Sequence, residues 1–197
     1  VRRSILTQST VGAIYTRRAT ARDESGATPG DLHTAGLDLN LFTSHLFGDK
    51  NAQLEAFLVW NSNPDPSEAR SFGDLSARGL RFNYPNDVWT AHLSFREFGA
   101  AYDPAMGFVT RNGFRRAEPR IGWRPRTESV PWLRRMEFSA QYTWLENLAT
   151  GQDEERQWRF GLLGLDFESG DGIELNAGRL YEYLDEGFEV SEGVDIL

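Results

Sequence analysis

A period-two alternation of apolar and polar residues constrains this chain more than any other feature. Met136, Phe138, Ala140, Tyr142 and Trp144 interleave with Glu137, Ser139, Gln141 and Thr143. Similar segments recur at least nine times between Ile5 and Tyr183, with almost no helical interruption. Successive side chains of a β-strand leave on opposite faces, so each segment reads as a strand with one apolar and one polar face. The chain is therefore predicted to be all-β.

The first segment spans about Ile5 to Ala19 and is followed by a polar connection, Thr20 to His33. The second, Thr34 to Phe47, meets the third (Ala52, Leu54, Ala56, Leu58, Trp60) across Gly48-Asp49-Lys50. A long connection, Asn61 to Gly73, carries Pro64 and Pro66. The fourth segment ends in Leu80, Phe82 and Tyr84, turns at Pro85-Asn86-Asp87, and gives way to a fifth with Trp89, Ala91, Leu93 and Phe95. Gly99 to Gly113 is long and irregular. The sixth segment, about Phe114 to Arg124, contains Pro119, which has no N–H for a ladder and predicts a bulge or break. Beyond the medium connection Pro125 to Pro131 come the Met136 run, a long polar stretch from Asn147 to Glu155, and Arg156 to Phe167. The tight turn Ser169-Gly170-Asp171-Gly172 then leads to a ninth segment starting at Ile173.

The connections thus run long, short, long, short, long, medium, long, short, long. A soluble meander has no reason to alternate in this way, whereas an outer-membrane barrel has short periplasmic turns and long extracellular loops. Trp60, Tyr84, Trp89, Trp144, Trp158 and Tyr181 lie at or near segment ends, where interfacial girdles need them. The expected fold is an antiparallel transmembrane β-barrel built as a meander. The competing reading is a soluble all-β domain with aromatics placed by packing. On the barrel reading the first strand runs outward and the chain enters it from the periplasm.

Composition is compatible with both readings. The chain of 197 residues has no cysteine, which removes disulfides and thiolate metal sites. A net charge of −8 argues against nucleic acid as the main partner. Mean hydropathy is −0.51, and no apolar run approaches the roughly 20 residues of a membrane helix. Val1-Arg2-Arg3 runs straight into a strand-like segment, and Val194-Asp195-Ile196-Leu197 stops within another. Both ends look cut. The whole of 1–197 is thus expected to be part of one barrel domain of about nine to ten strands, an incomplete fragment without its closing strands.

Several blocks resemble a known family. They are Ser9-Thr10-Val11-Gly12-Ala13-Ile14-Tyr15-Thr16-Arg17-Arg18, Gly36-Leu37-Asp38, Phe98, Tyr102-Asp103-Pro104, Gly107-Phe108-Val109-Thr110-Arg111, Trp123-Arg124-Pro125-Arg126, and Phe167-Glu168-Ser169-Gly170-Asp171. Glu182, Leu184 and the stretch from Phe188-Glu189-Val190 to Gly193-Val194 complete them. Together they resemble an outer-membrane β-barrel domain of unknown function from Gram-negative bacteria. In that family the barrel usually follows a periplasmic module similar to family-nine carbohydrate-binding modules. The resemblance implies an outer-membrane location, a lipid-facing wall, and a periplasmic module of the same chain as a partner. Glycan handling belongs to that module and reaches these residues by association alone. The resemblance implies no catalytic activity.

Arginines crowd the region from Arg96 to Arg135. If the sixth segment is a strand, Arg116, Glu118, Arg120 and Arg124 share one face, which in a barrel is the lumen, because Arg on the lipid face costs roughly 2–4 kcal/mol at mid-bilayer. Such a stripe, with Glu137 beside it, would select anions or acidic sugars; the plainer reading is a structural ladder with Glu118 and Glu137. The Tyr102, Pro104, Gly107, Phe108, Arg111 block predicts a folded loop anchor or plug. Glu137 and Glu174 lie on polar faces, but nothing in the sequence brings them together as a glycosidase pair. His33, His45 and His92 have no metal-ligand spacing, and Asp153-Glu154-Glu155 and Asp185-Glu186 read as solvated loop charges. No metal, cofactor or catalytic group is expected. The functional expectation is passage or docking of a glycan or anionic substrate at the outer membrane. A soluble all-β ligand-binding domain and an outer-membrane carbohydrate-active enzyme stand as alternatives.

Overall fold

The computed structural model describes residues 1–19, 30–63, 67–127 and 129–184, with the backbone alone of 188–191 and 194–196. Pro64, Pro66, Asp185-Glu186, Gly193 and most of the connection after Ala19 lie outside the described residues, as do the side chains of the Phe188 to Val194 block.

Ten strands form one antiparallel sheet in sequence order. They are β1 (Arg2–Ile5), β2 (Ser9–Arg18), β3 (Leu32–Leu46), β4 (Lys50–Asn61), β5 (Ser76–Pro85), β6 (Trp89–Phe98), β7 (Phe114–Trp123), β8 (Leu133–Asn147), β9 (Asp153–Phe167) and β10 (Gly172–Glu182). Each strand pairs with the next, and the sheet is not closed: β1 and β10 are its two edges. Two short strands, β11 (Phe188–Ser191) and β12 (Val194–Ile196), pair with each other. The chain is an all-β meander, as the alternation predicts.

Three local expectations change. The segment from Ile5 is not one strand. It is the end of β1, a turn in which Leu6 has φ 55°, and β2. β1 runs antiparallel to β2, from Arg2 opposite Gly12 to Ile5 opposite Ser9, so the first strand of the sheet starts at the long-connection end and β2 runs back towards it. Asn147 to Glu155 is not a long loop either. Glu146 pairs with Asp153, so the β8–β9 hairpin closes in five residues, 148–152, and Asp153, Glu154 and Glu155 are strand residues. Trp144 Nε1 donates to Asp153 Oδ1 at 2.6 Å, and Arg111 and Asn147 hold Glu154, which is why these acids extend the ladder instead of staying in solvent.

Pro119 neither bulges nor breaks β7. The β6 register runs without a shift from Trp89 opposite Trp123 to Phe98 opposite Phe114, with Pro119 opposite Leu93. On the β8 side the pairing lapses between Ala117–Trp144 and Arg120–Gln141 and resumes in the same register. The missing donor therefore falls on the β8 side, where neighbouring pairs hold the strands together across the gap.

All connections at one end are tight or medium: 6–8, 47–49, 86–88, 124–132 and 168–171. The opposite end carries 19–31, 62–75 and 99–113. Much of the buried core lies at this second end, where Leu32, Leu75, Ala77, Tyr102 and Ala105 are each less than a tenth exposed. There the 99–113 loop crosses the 62–75 connection: Ala101 N donates to Asp74 O at 2.9 Å and Gly99 N to Ser76 O at 2.8 Å. At Gly99 the backbones approach so closely that a Cβ would lie 2.1 Å from Gly73 O and 2.3 Å from Asp74 O. A methyl group cannot be accommodated without moving main chain. Gly99→Ala is expected to lower stability by about 1–3 kcal/mol, read as a shift in the urea unfolding midpoint, while Gly151→Ala, in open space at a turn, is expected to cost less.

Candidate functional site

The pleat sorts the sheet into two unlike faces. One carries Leu37, Leu58, Leu93, Ile121, Phe160 and Leu175; Leu37 is 60%, Ile121 49% and Leu175 55% exposed. The other carries Asp38, Glu55, Arg81, Arg96, Glu118, Arg120 and Gln141, and it is concave: its depressions are lined by side chains from several strands at once.

The charge limit on the apolar face is oblique. On β2 the outward charge is Arg17, opposite His33 on β3. From His33 the line drops four residues to the level of Leu37, which continues through Leu58 to Arg78, Glu97, Arg115 and Glu146. On β9 the first outward charge is Arg156, opposite Trp144, and on β10 it is Arg179, opposite Trp158. From β2 to β10 the limit thus falls by about eight residues over about eight strand spacings, roughly 26 Å against 38 Å, an inclination of about 35° to the hydrogen-bonded rows, while on the edge strand β1 Arg3 stands on this face opposite Val11, inside the band. Aromatics mark both margins. Tyr142 stacks on Trp158 at 4.3 Å just below the charge line, and Trp123 stacks between Trp89 and Phe138 at 5.8 and 5.4 Å near the short-turn end.

The charge line is itself a ladder. Glu97, 7% exposed, accepts from Arg78 at 2.5 Å and from Arg115 at 2.8 Å, and Arg115 also reaches Glu146 at 3.3 Å. One acid serves two cations, which suits the partly dehydrated edge of an apolar surface.

On the concave face, the residues singled out in the sequence fall into two groups. Arg116 pairs with Glu118 at 3.1 Å, and Glu118 also takes Arg96 at 2.7 Å; Arg124 pairs with Glu137 at 3.1 Å. Arg120 has no carboxylate partner among the described residues. It sits on one row with His92, Gln141 and Arg159, the last of which also lacks one. Arg159 was legible in principle, since it lies between outward Trp158 and Phe160. Glu137 and Glu174 do meet on one row, either side of Gly164, with Glu137 engaged by Arg124.

The second group is the 99–113 loop, which folds back over the concave face at its long-loop end. Asp103 N donates to Asn61 Oδ1 at 3.0 Å and Ala105 N to Thr34 Oγ1 at 2.7 Å, so the loop leaves β6 and reaches β4 and β3. Arg18 pairs with Asp103 at 2.9 Å. Tyr102 is 6% exposed, edge-on to Phe98, which stacks on Phe114 at 5.1 Å. Pro104 is half-buried beside it. Arg111 pairs with Glu154 and lies 5.7 Å over the Phe114 ring. Gly107, at φ 145°, makes a bend open to L side chains only at a cost, and Phe108 after it is 87% exposed. Four of the five block residues thus serve the fold of the loop, and Phe108 projects from it.

No protein-family model, curated protein or solved structure matches the chain.

Two outcomes follow from these contacts. Removing the shared acid in Glu97→Ala is expected to cost about 1.5–3 kcal/mol, whereas Glu146→Ala, which removes the longer contact, costs under about 1 kcal/mol, both read from denaturant midpoints. Burial holds the Tyr102 hydroxyl above its ordinary value of 10.0. Its folded-state value exceeds the unfolded one, so the anchor is fully held below that ordinary value and weakens as pH rises through the raised one. Protection factors across 99–113, which correct for the base-catalysed rise of exchange itself, are expected to fall above about pH 10 in the native chain and to stay level in Tyr102→Phe.

Proposed function

We propose that this sheet is the wall of an outer-membrane β-barrel of a Gram-negative bacterium, with lipid against the convex face and a polar lumen on the concave face where a substrate passes or docks. The observation that carries this reading is the oblique charge limit. Rows of a sheet are perpendicular to its strands, so an apolar band that follows the rows belongs to a flat packing interface. A band inclined by about 35° belongs to strands tilted against a planar apolar layer, and transmembrane barrel strands tilt by roughly 35–45°.

Other features support it. From β2 to β10 the convex face is apolar between its margins and exposes Leu37, Leu58, Leu80, Leu93, Ile121, Phe160 and Leu175, a contiguous set rather than the scattered apolar residues usual on soluble monomers, and aromatic stacks line both margins. The polar face bears paired charges and amides, a surface that suits water. The inward fold of 99–113 narrows the lumen at the long-loop end. A glycan as the substrate follows from the family resemblance by association, and a periplasmic module of the same chain would present it from the short-turn side.

A lipid face and a soluble face respond oppositely to charge. Leu93→Arg and Ile121→Arg are each expected to lower the stability of the protein folded into lipid vesicles by about 2–4 kcal/mol and to reduce the heat-modifiable band on gels. Equal stability of both variants, together with a wild-type chain that stays monomeric in plain buffer, would overturn the membrane reading in favour of a soluble binding domain.

A further inference from the structure

The concave face is neutralised almost pair by pair. Arg2 meets Asp38, Arg81 meets Glu55, Arg96 and Arg116 share Glu118, Arg124 meets Glu137, and Arg135 meets Asp166. Against this pattern the row His92, Arg120, Gln141, Arg159, Gly178 holds two arginines without a carboxylate partner among the described residues. The next row toward the short-turn end, Thr90, Gly122, Ser139, Gly161, Asn176, contains no acid either. The nearest acid along β7, Glu118, is already shared between Arg96 and Arg116.

The surroundings suit a ligand. Two troughs of about 500 and 520 Å³ lie along these rows, and Arg120 and Gln141 line both. Thr90 Oγ1 leans over Gly122 and Ser139 Oγ over Gly161, which adds hydroxyls to the row beside the two arginines. The two arginine Cα positions are two strand spacings apart, about 10 Å, with the Gln141 amide between them. Asn83, Gln157 and Asn176 add further amides at the rim. Asn83 Oδ1 lies 2.6 Å from His92 Nδ1, which orients that ring. Amides pair with hydroxyls as donor and acceptor, and a guanidinium pairs with a carboxylate or sulfate through two parallel bonds. The nearest aromatic residues of β8 and β9, Tyr142, Trp158 and Phe160, alternate with Gln141 and Arg159 and belong to the other face of the pleat.

We propose that Arg120 and Arg159, flanking Gln141, form an oxyanion subsite for an acidic oligosaccharide, a polyhydroxylated chain bearing carboxylate or sulfate groups. The inference rests on the reading of the concave face as the surface that docks a substrate, and it narrows that substrate from glycans at large to charged ones. The role belongs to Arg120 together with Arg159. Arg116 and Arg124 keep their structural acids.

The test uses the full chain, in lipid vesicles if it needs them and in plain buffer if it does not, so that loss of the membrane reading leaves the titration interpretable. Oligogalacturonate, sulfated dextran oligomers and neutral maltohexaose are titrated calorimetrically at low salt. Wild type is expected to bind at least one of the two acidic probes more than about tenfold tighter than maltohexaose, and which one tells carboxylate from sulfate. Arg120→Gln with Arg159→Gln is expected to abolish that preference. Arg120→Lys with Arg159→Lys keeps the charge without the fork and is expected to retain part of it. Arg2→Gln, on the same face but outside the troughs, is expected to retain it all. Equal binding of all three probes, no binding of any, or a preference that survives the double Gln substitution in a protein of unchanged circular dichroism overturns the proposal.

Discussion

Apart from the lapse at Pro119 and the register shifts along β9, the backbone in the middle of this sheet is committed to neighbouring strands, and the pleat then leaves the side chains only two directions to point. The rest of the structure depends on that constraint. With no second layer among the described residues, most of the apolar set is not buried, and much of the dense packing forms at the long-loop end, where Leu32, Ala77, Tyr102 and Ala105 are each less than a tenth exposed. A sheet of this kind is stable only against something that takes the place of a core. On β6 and β7 the convex face is uncharged from the Trp123 stack up to the Glu97 ladder, and lipid takes that role on the proposed membrane reading.

The two charged systems answer different needs. The Arg78–Glu97–Arg115–Glu146 ladder lies where the apolar face ends, and it satisfies its charges internally at that boundary. The concave pairs lie where water reaches them. They are worth little individually, but together they remove net charge from most of the concave face. Against that neutral background the Arg120–Arg159 row is a local departure, and locality is what gives a polar surface selectivity.

The loop from Gly99 to Gly113 links this wall to its mouth. Its anchors come from three places far apart in the chain: Asn61 and Thr34 through backbone N–H groups, Asp74 through Ala101, and Glu154 through Arg111. A loop tied to β3, β4 and β9 covers one end of the concave face, with Tyr102 buried against Phe98 and Phe108 projecting from it.

Period two in the sequence was enough to determine an all-β meander, the inward and outward sets on each strand, and the end that carries the long connections, because each depends only on side chains one and two residues apart. It misplaced the β1–β2 turn and the start of β9, where a positive φ at Leu6 and cross-strand pairing of Asp153 outweigh local polarity. The Arg116, Arg120, Arg124 spacing put three arginines on one face but could not tell them apart. Which of them is held by an acid is decided by registers of β7 with β6 and β8, and by Arg159 arriving from β9 two strands away. Pairing across strands is a long-range property. The tertiary structure alone could leave Arg120 without a carboxylate and set it in a row with Gln141 and Arg159.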